Sequence, residues 1–191
     1  MKLKQFALAG LLALASLPAL AADTYAIDPT HTQVEFTYSH FGFSNITGRF
    51  DKVESEFAFD AADPTKSSVK VTIPVDSIST GVAKLDEHLL GADFFDAGKY
   101  PTATFTSTGV TVAGEGKLAV AGDLTIHGVT RPVVMDVTIN KVGEHPMSKK
   151  PAAGFDASFD IKRSEFGVGG YAPAVSDEVR IEITVEAQKA E

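Results

Sequence analysis

The feature that most constrains this chain is a two-residue alternation of apolar and polar side chains, repeated in eight separate segments. In residues 32–40, Val34, Phe36 and Tyr38 alternate with Gln33, Glu35 and Thr37. Residues 68–76 carry Val69, Val71, Ile73 and Val75, residues 118–126 carry Leu118, Val120, Leu124 and Ile126, and residues 133–140 carry Val133, Met135, Val137 and Ile139. Four more segments complete the set: residues 46–60 with Phe50, Phe57 and Phe59, and residues 102–112 with Ala103, Phe105, Val110 and Val112. Residues 154–163 carry Phe155, Ala157, Phe159 and Ile161, and residues 176–188 carry Val179, Ile181, Ile183 and Val185. A period of two sends successive side chains to opposite faces, so each segment reads as a strand with one apolar and one wet face. Eight such strands joined mostly by short turns favour an antiparallel barrel or a sandwich. The long segment 46–60, with a bulge or bend expected at Gly48, leans towards the barrel, because long strands must curl to close. Pro74 either marks an edge strand or the place where the chain bends away. Residues 141–152 are polar, contain two prolines and read as an exposed loop.

Residues 80–101 break the alternation. Val82, Leu85 and Leu89 recur at three and four residues, the spacing of one helical face. Thr80 is the expected N-cap and Gly91 the expected residue just past the C-terminus. The pair Phe94-Phe95 follows in a loop that Pro101 ends. A single short helix in an all-β chain is either a cap on one barrel end or a helix packed outside a sheet. If it caps, truncating Phe94 or Phe95 should cost less stability than truncating Phe159 in mid-strand.

The first residues read as an export signal. Lys2 and Lys4 precede an apolar run, residues 6–17, that is too short to span a bilayer, and Ala19-Leu20-Ala21 fits the small-x-small cleavage rule. Cleavage after Ala21 leaves residues 22–191 as one domain, exported to a bacterial periplasm or secreted. The chain has no cysteine, so neither a lipidated cysteine nor a disulfide follows. Without Lys2 and Lys4 there remain 15 basic residues against 25 acidic, a net charge of −10. That balance argues against nucleic acid and anionic membrane surfaces as partners. No second apolar run approaches spanning length, so no stable membrane insertion is expected.

Chemistry-bearing motifs are sparse. His31, His40, His88, His127 and His145 show no spacing that makes a local metal pair, so neither a metal nor a cofactor is expected. Gly42-Phe43-Ser44-Asn45-Ile46 lacks the second glycine of a nucleophile elbow. Gly167-Val168-Gly169-Gly170 opens no helical pattern and reads as a flexible turn rather than a phosphate loop. What remains is aromatic: 13 Phe against 4 Tyr and no Trp, most of them on the inward parity. Such a set either packs a filled core or lines a tunnel, and composition does not separate the two.

An ordered set of short motifs does. Ile27-Asp28-Pro29-Thr30-His31, His40-Phe41-Gly42, Gly48-Arg49-Phe50, Ser77-Ile78-Ser79-Thr80, Asp86-Glu87-His88-Leu89, Asp93-Phe94-Phe95-Asp96 and Tyr100-Pro101 occur in sequence. Leu124 to Val133, LTIHGVTRPV, and Phe166-Gly167 follow. Across residues 22–191 the chain resembles the YceI family of bacterial periplasmic lipid-binding proteins. The resemblance implies a lipocalin-like eight-stranded antiparallel barrel that carries an isoprenoid or other long-chain amphiphile in an elongated apolar cavity, with no catalytic residues. Leu85 stands where the family commonly has Arg before the Asp of the helix motif.

The resulting expectation is a periplasmic carrier or scavenger of a polyisoprenoid-type lipid, such as a quinone or polyprenyl phosphate. By strand parity the wall residues are Phe36, Tyr38, Phe50, Phe57, Phe59, Val71, Ile73, Phe105, Leu124, Phe155 and Phe159. Phe41, Phe43, Phe94 and Phe95 are expected at the mouth, and His40, Arg49, His88 and Arg163 near a head group. The alternatives are a periplasmic hydrolase using His88 with Asp86 or Asp93, and an interaction module with a filled barrel. A homodimer is left open.

Overall fold

The computed structural model describes residues 22–191; the export segment read in residues 1–21 lies outside them. The alternating segments form one antiparallel sheet of eleven strands that closes on itself. They trace eight lines around a barrel, because the first three lines are interrupted. β1 (Asp23–Ile27) and β2 (Gln33–His40) share the first line, β3 (Ser44–Phe50) and β4 (Glu54–Phe59) the second, β5 (Ser68–Pro74) and β6 (Ile78–Ser79) the third. β7 (Thr102–Gly114), β8 (Lys117–Ile126), β9 (Val129–Glu144), β10 (Pro151–Lys162) and β11 (Glu178–Lys189) are one line each. Every line pairs with the next in sequence. β11 closes the ring by pairing with β1, Tyr25 opposite Lys189, and with β2, Thr37 opposite Arg180. The barrel alternative therefore stands and the sandwich does not.

Pro74 marks the place where the chain bends away. Pro74 sits opposite Thr102 at the end of β5, where a missing N–H least disrupts the ladder. There the chain leaves the line through a 3-10 turn, Val75–Ser77. β1 carries only Tyr25 and Ile27 as large apolar residues, and it and the two-residue β6 are the strands the pattern does not announce. Residues 141–152 are not a long loop, since β9 runs to Glu144 and β10 resumes at Pro151. In β7, Phe105 and Val110 are five residues apart and both buried, which strict alternation forbids. A register shift between Ser107 and Gly109 flips the parity and turns both inward.

Gly48 plays a different part from the one its position suggests. The pairing of β2 with β3 runs through it without a shift, Phe36 opposite Gly48. A Cβ at Gly48 would lie 2.4 Å from the Phe36 ring, and one at Gly122 would lie 2.3 Å from the Phe105 ring. The missing side chains let two aromatic rings lie against the neighbouring strand. The second line breaks later, at residues 51–53, where Asp51 N–H donates to the Ser77 carbonyl at 2.9 Å.

The helix is α1, Ala83–Leu90. Val82 is its N-cap residue and makes no side-chain cap bond. Asp86 instead reaches back, its carboxylate accepting from Thr80 N–H at 2.7 Å and from the Thr80 hydroxyl at 2.6 Å. Two expectations for this helix are corrected: Thr80 is not its N-cap residue, and Val82 is exposed rather than on the buried face. Gly91 does follow the last helical residue, with φ −71 rather than a left-handed value.

Gly48→Ala should lower stability by about 1–3 kcal/mol, the usual range for an overpacked core. Denaturant unfolding measures it, and combining the change with Phe36→Leu should recover part of the loss. Equal loss in single and double variants would show that the Phe36 ring is not what Gly48 accommodates.

Candidate functional site

Inside the barrel lie two adjoining cavities. The inner chamber, about 220 Å³, is walled by inward side chains of every line, among them Phe57, Phe59, Val71, Ile73, Phe105, Leu124, Phe155 and Phe159. The mouth chamber, about 330 Å³, lies beneath α1 and is walled by Phe36, Tyr38, His40, Phe41, Leu85, His88, Leu89, Phe94, Phe95 and Arg163, with residues of the loop after β10. Ile126, Ile161 and Ile181 line both chambers and mark where they meet. Thr32 Oγ1 and Ser55 Oγ are buried without a hydrogen-bond partner among the described residues. Both residues line the inner chamber. They flank the stretch where the first two lines are interrupted.

One buried cation builds the far wall of the mouth. Arg163 is 8% exposed and donates from Nε to the Ser176 carbonyl at 2.8 Å, from one terminal nitrogen to Val168 at 2.6 Å and from the other to Val175 at 2.9 Å. Three of the five guanidinium N–H groups thus hold the loop of residues 167–176 in an arc over the chamber. Burial lowers the Arg163 pKa against the opposing pull of Asp177 and Tyr38, while burial raises that of the Tyr38 hydroxyl against the pull of Arg163. Asp177 accepts from Ser164 N–H at 2.8 Å and from its hydroxyl at 2.6 Å, which holds its carboxyl below the usual range. The hairpin tip between β2 and β3 is bonded to the same loop. Phe41 N–H donates to the Ala174 carbonyl at 3.1 Å and Ser176 N–H to the Ser39 carbonyl at 2.9 Å.

The sequence model of the YceI-like domain matches residues 25–187. A UPF0312 protein of Vibrio cholerae is 40% identical over 181 residues, covering 93% of this chain and 94% of its own. The chain belongs to the YceI-like family. Among solved structures, Burkholderia cenocepacia BcnA superposes with a TM-score of 0.78 at 32% identity, covering 85% of this chain and all of that one. A polyisoprenoid binding domain from Saccharophagus degradans, implicated in plant cell wall breakdown, gives a TM-score of 0.66 at 16% identity, over 88% of this chain and 99% of its own. At that identity the likeness is one of fold.

Within this YceI-like barrel the parity-chosen wall residues divide between the two chambers. Phe57, Phe59, Val71, Ile73, Phe105, Leu124, Phe155 and Phe159 face the inner one, Phe36 and Tyr38 the mouth. Three expected site residues lie elsewhere. Phe50 lines neither chamber and packs between Phe36, at 5.7 Å, and Phe95, at 6.1 Å. Arg49 is on the outer face, paired with Asp51 at 2.7 Å, because inward Phe50 forces its neighbour out. Phe43 is almost fully exposed at the hairpin tip. His40, His88 and Arg163 do meet at the mouth chamber, but Arg163 holds the loop with three of its donors. For the hydrolase alternative, the Asp86 carboxylate is engaged by Thr80, and His88 packs edge-on to Phe94 at 5.0 Å.

Ile126, Ile161 and Ile181 were readable by the same parity that selected Leu124 and Phe159. The loop residues Val168, Tyr171 and Val175 were not, because what turns a glycine-rich stretch into a wall is its bonding to Arg163.

Phe94 is 8% exposed, as buried as Phe159 at 9%, which corrects the expectation that both mouth aromatics are cheap to truncate. Phe94→Ala should cost about 3–5 kcal/mol. Half-buried Phe95 should cost under about 2 kcal/mol, with denaturant unfolding of lipid-free protein as the measurement.

Acid should loosen the 167–176 loop before the barrel. The depressed Asp177 pKa contributes stability that is complete above its unfolded value, about 3.9, and is lost as pH falls through the folded value. Protection of the Val168 and Val175 amides, relative to their intrinsic exchange rates, should therefore fall below about pH 4, and Asp177→Asn should abolish that dependence. A loop whose exchange is unchanged down to global unfolding would contradict the assignment.

Proposed function

We propose that this protein is an exported carrier that holds a long-chain, isoprenoid-type lipid in the barrel. The observation that carries the reading is the adjacency of an apolar inner chamber and a mouth chamber, which share Ile126, Ile161 and Ile181 as wall residues. An interior of Phe, Val, Ile and Leu offers a ligand dispersion contacts and removal from water, with very little to orient a polar reaction. The description of the Saccharophagus degradans domain as polyisoprenoid binding supports the same ligand class. Export to the periplasm rests on the signal read in residues 1–21. Tyr38, His40 and His88 at the mouth, with Arg163 behind them, are where a head group would find hydrogen bonds. Thr32 and Ser55 offer hydroxyls to an oxygen deeper in the chain.

Cavity size bounds the ligand. A methylene takes about the space of a water, roughly 30 Å³, so chambers of about 220 and 330 Å³ hold on the order of eighteen heavy atoms. At roughly 0.3 kcal/mol per atom these contribute about 5 kcal/mol, and a forty-carbon chain fully enclosed would reach about 12. A chain longer than four isoprene units must extend through the mouth or spread the walls.

Two measurements test this. Native mass spectrometry of protein from its own host should show a bound apolar species, and added ligand should raise the melting temperature by mass action. Apo mass alone, with no shift from any long-chain lipid, would refute the carrier reading. In a series of polyprenyl alcohols, affinity should climb to about twenty carbons and gain less per added unit beyond, as the roughly eighteen-atom cavity fills. Affinity that ignores chain length would place the ligand outside the barrel.

A further inference from the structure

The rim of the mouth breaks two local rules at once. Phe43 is 92% exposed, Tyr171 62% and Phe41 50%. Phe41 and Tyr171 also have φ of 53° and 62°. That left-handed region is disfavoured for bulky side chains, and Asn, Asp or Gly would be the easier choice in an exposed turn. The strain is therefore not repaid by burial, and such violations concentrate at functional positions.

Charge is missing from the same place. No Asp, Glu, Lys or Arg occurs between Glu35 and Arg49, nor between Glu165 and Asp177, in a chain that is 22% charged. The two uncharged segments are bonded together through Phe41 N–H to the Ala174 carbonyl and Ser176 N–H to the Ser39 carbonyl. They form one continuous apolar border to the mouth chamber, which Phe41 and Tyr171 themselves line.

The geometry points to a docking surface for a lipid bilayer: the hairpin tip at Phe43, flanked by Phe41 and Tyr171, inserts into the interface so that a lipid passes to the mouth without crossing water. This rests on the carrier reading. These two uncharged segments enter a bilayer with no ionic desolvation cost, and the net charge of −10 without Lys2 and Lys4 directs them to zwitterionic rather than anionic lipid. Three side chains of about 150–250 Å² each, exposed to these fractions, present on the order of 400 Å². That is about half of the roughly 800 Å² per partner of a stable dimer.

The test compares the wild type with Phe43→Ser and, as a control on the outer wall, Val134→Ser. Ligand-free protein is sedimented with phosphatidylcholine–phosphatidylethanolamine vesicles. Uptake of a fluorescent polyprenyl probe is then followed from those vesicles and, separately, from vesicle-free solution. The wild type should partition onto vesicles independently of salt and take up probe faster as vesicle concentration rises. Phe43→Ser should lower both about tenfold, in keeping with loss of one buried Phe, and leave vesicle-free affinity unchanged, while Val134→Ser changes neither. Equal partitioning of wild type and Phe43→Ser, or uptake independent of vesicle concentration, overturns the proposal. So does a wild-type dimer in analytical ultracentrifugation that Phe43→Ser splits, which would assign the rim to self-association. Failure of the wild type to bind probe without vesicles refutes the carrier reading instead, and sedimentation still reports on docking.

Discussion

The pairing of the last strand with the first is the interaction on which the rest of this structure depends. β11 meets β1 at residues 187–189 and β2 at residues 180–184, so one continuous strand holds both pieces of an interrupted line. Without it the meander is an open sheet with two exposed edges and one apolar face. With it, each inward side chain points at an enclosed axis. The interruption at residues 28–32 is tolerated because Asp28 N–H still donates to the Glu186 carbonyl at 2.7 Å, carrying the closure across the gap.

Closure alone makes an interior, and the side chains decide whether it is full. Phe36 and Phe105 lie over Gly48 and Gly122, towards the wall. Phe155 meets Phe59 and Phe57 edge to face, with centroids 5.1 and 5.6 Å apart, and Tyr25 meets Phe59 edge to face at 5.7 Å. Aromatic rings gathered this way leave space elsewhere, and the inner chamber occupies it. The YceI-like barrel thus reconciles two readings of its phenylalanines: many are packed core, and the same residues wall a cavity.

The mouth follows a different logic. The inner chamber is secured by strand pairing, whereas the mouth adds a helix, a hairpin tip and a loop to the ends of the strands. Arg163 holds the loop by binding three of its carbonyls, backbone bonds from Phe41 and Ser176 tie that loop to the hairpin, and Asp86 fixes α1 to Thr80. Hydrogen bonds to a charged group are stronger than neutral ones, so few residues suffice to order a stretch rich in glycine. The left-handed Phe41 and Tyr171 sit on the parts held in this way.

The line count, most of the inward residues and the presence of a helix were legible in the sequence, although Val112, on the apolar parity of its segment, is exposed. A period of two or of 3.6 is a local property, and it survives whatever the chain packs against. Phe57, Phe155 and Phe159 were placed by parity alone. Other features depended on residues far apart in the chain. The break at residues 51–53, the bulge after Ser107, the outward turn of Arg49 and the wall built by residues 167–176 arise from register and from side-chain-to-carbonyl bonds. Gly48 shows the division most plainly. Its place in a strand announced something unusual, but only the ring of Phe36, twelve residues away in sequence and opposite it in the sheet, decided that the reason was close approach and not a bulge.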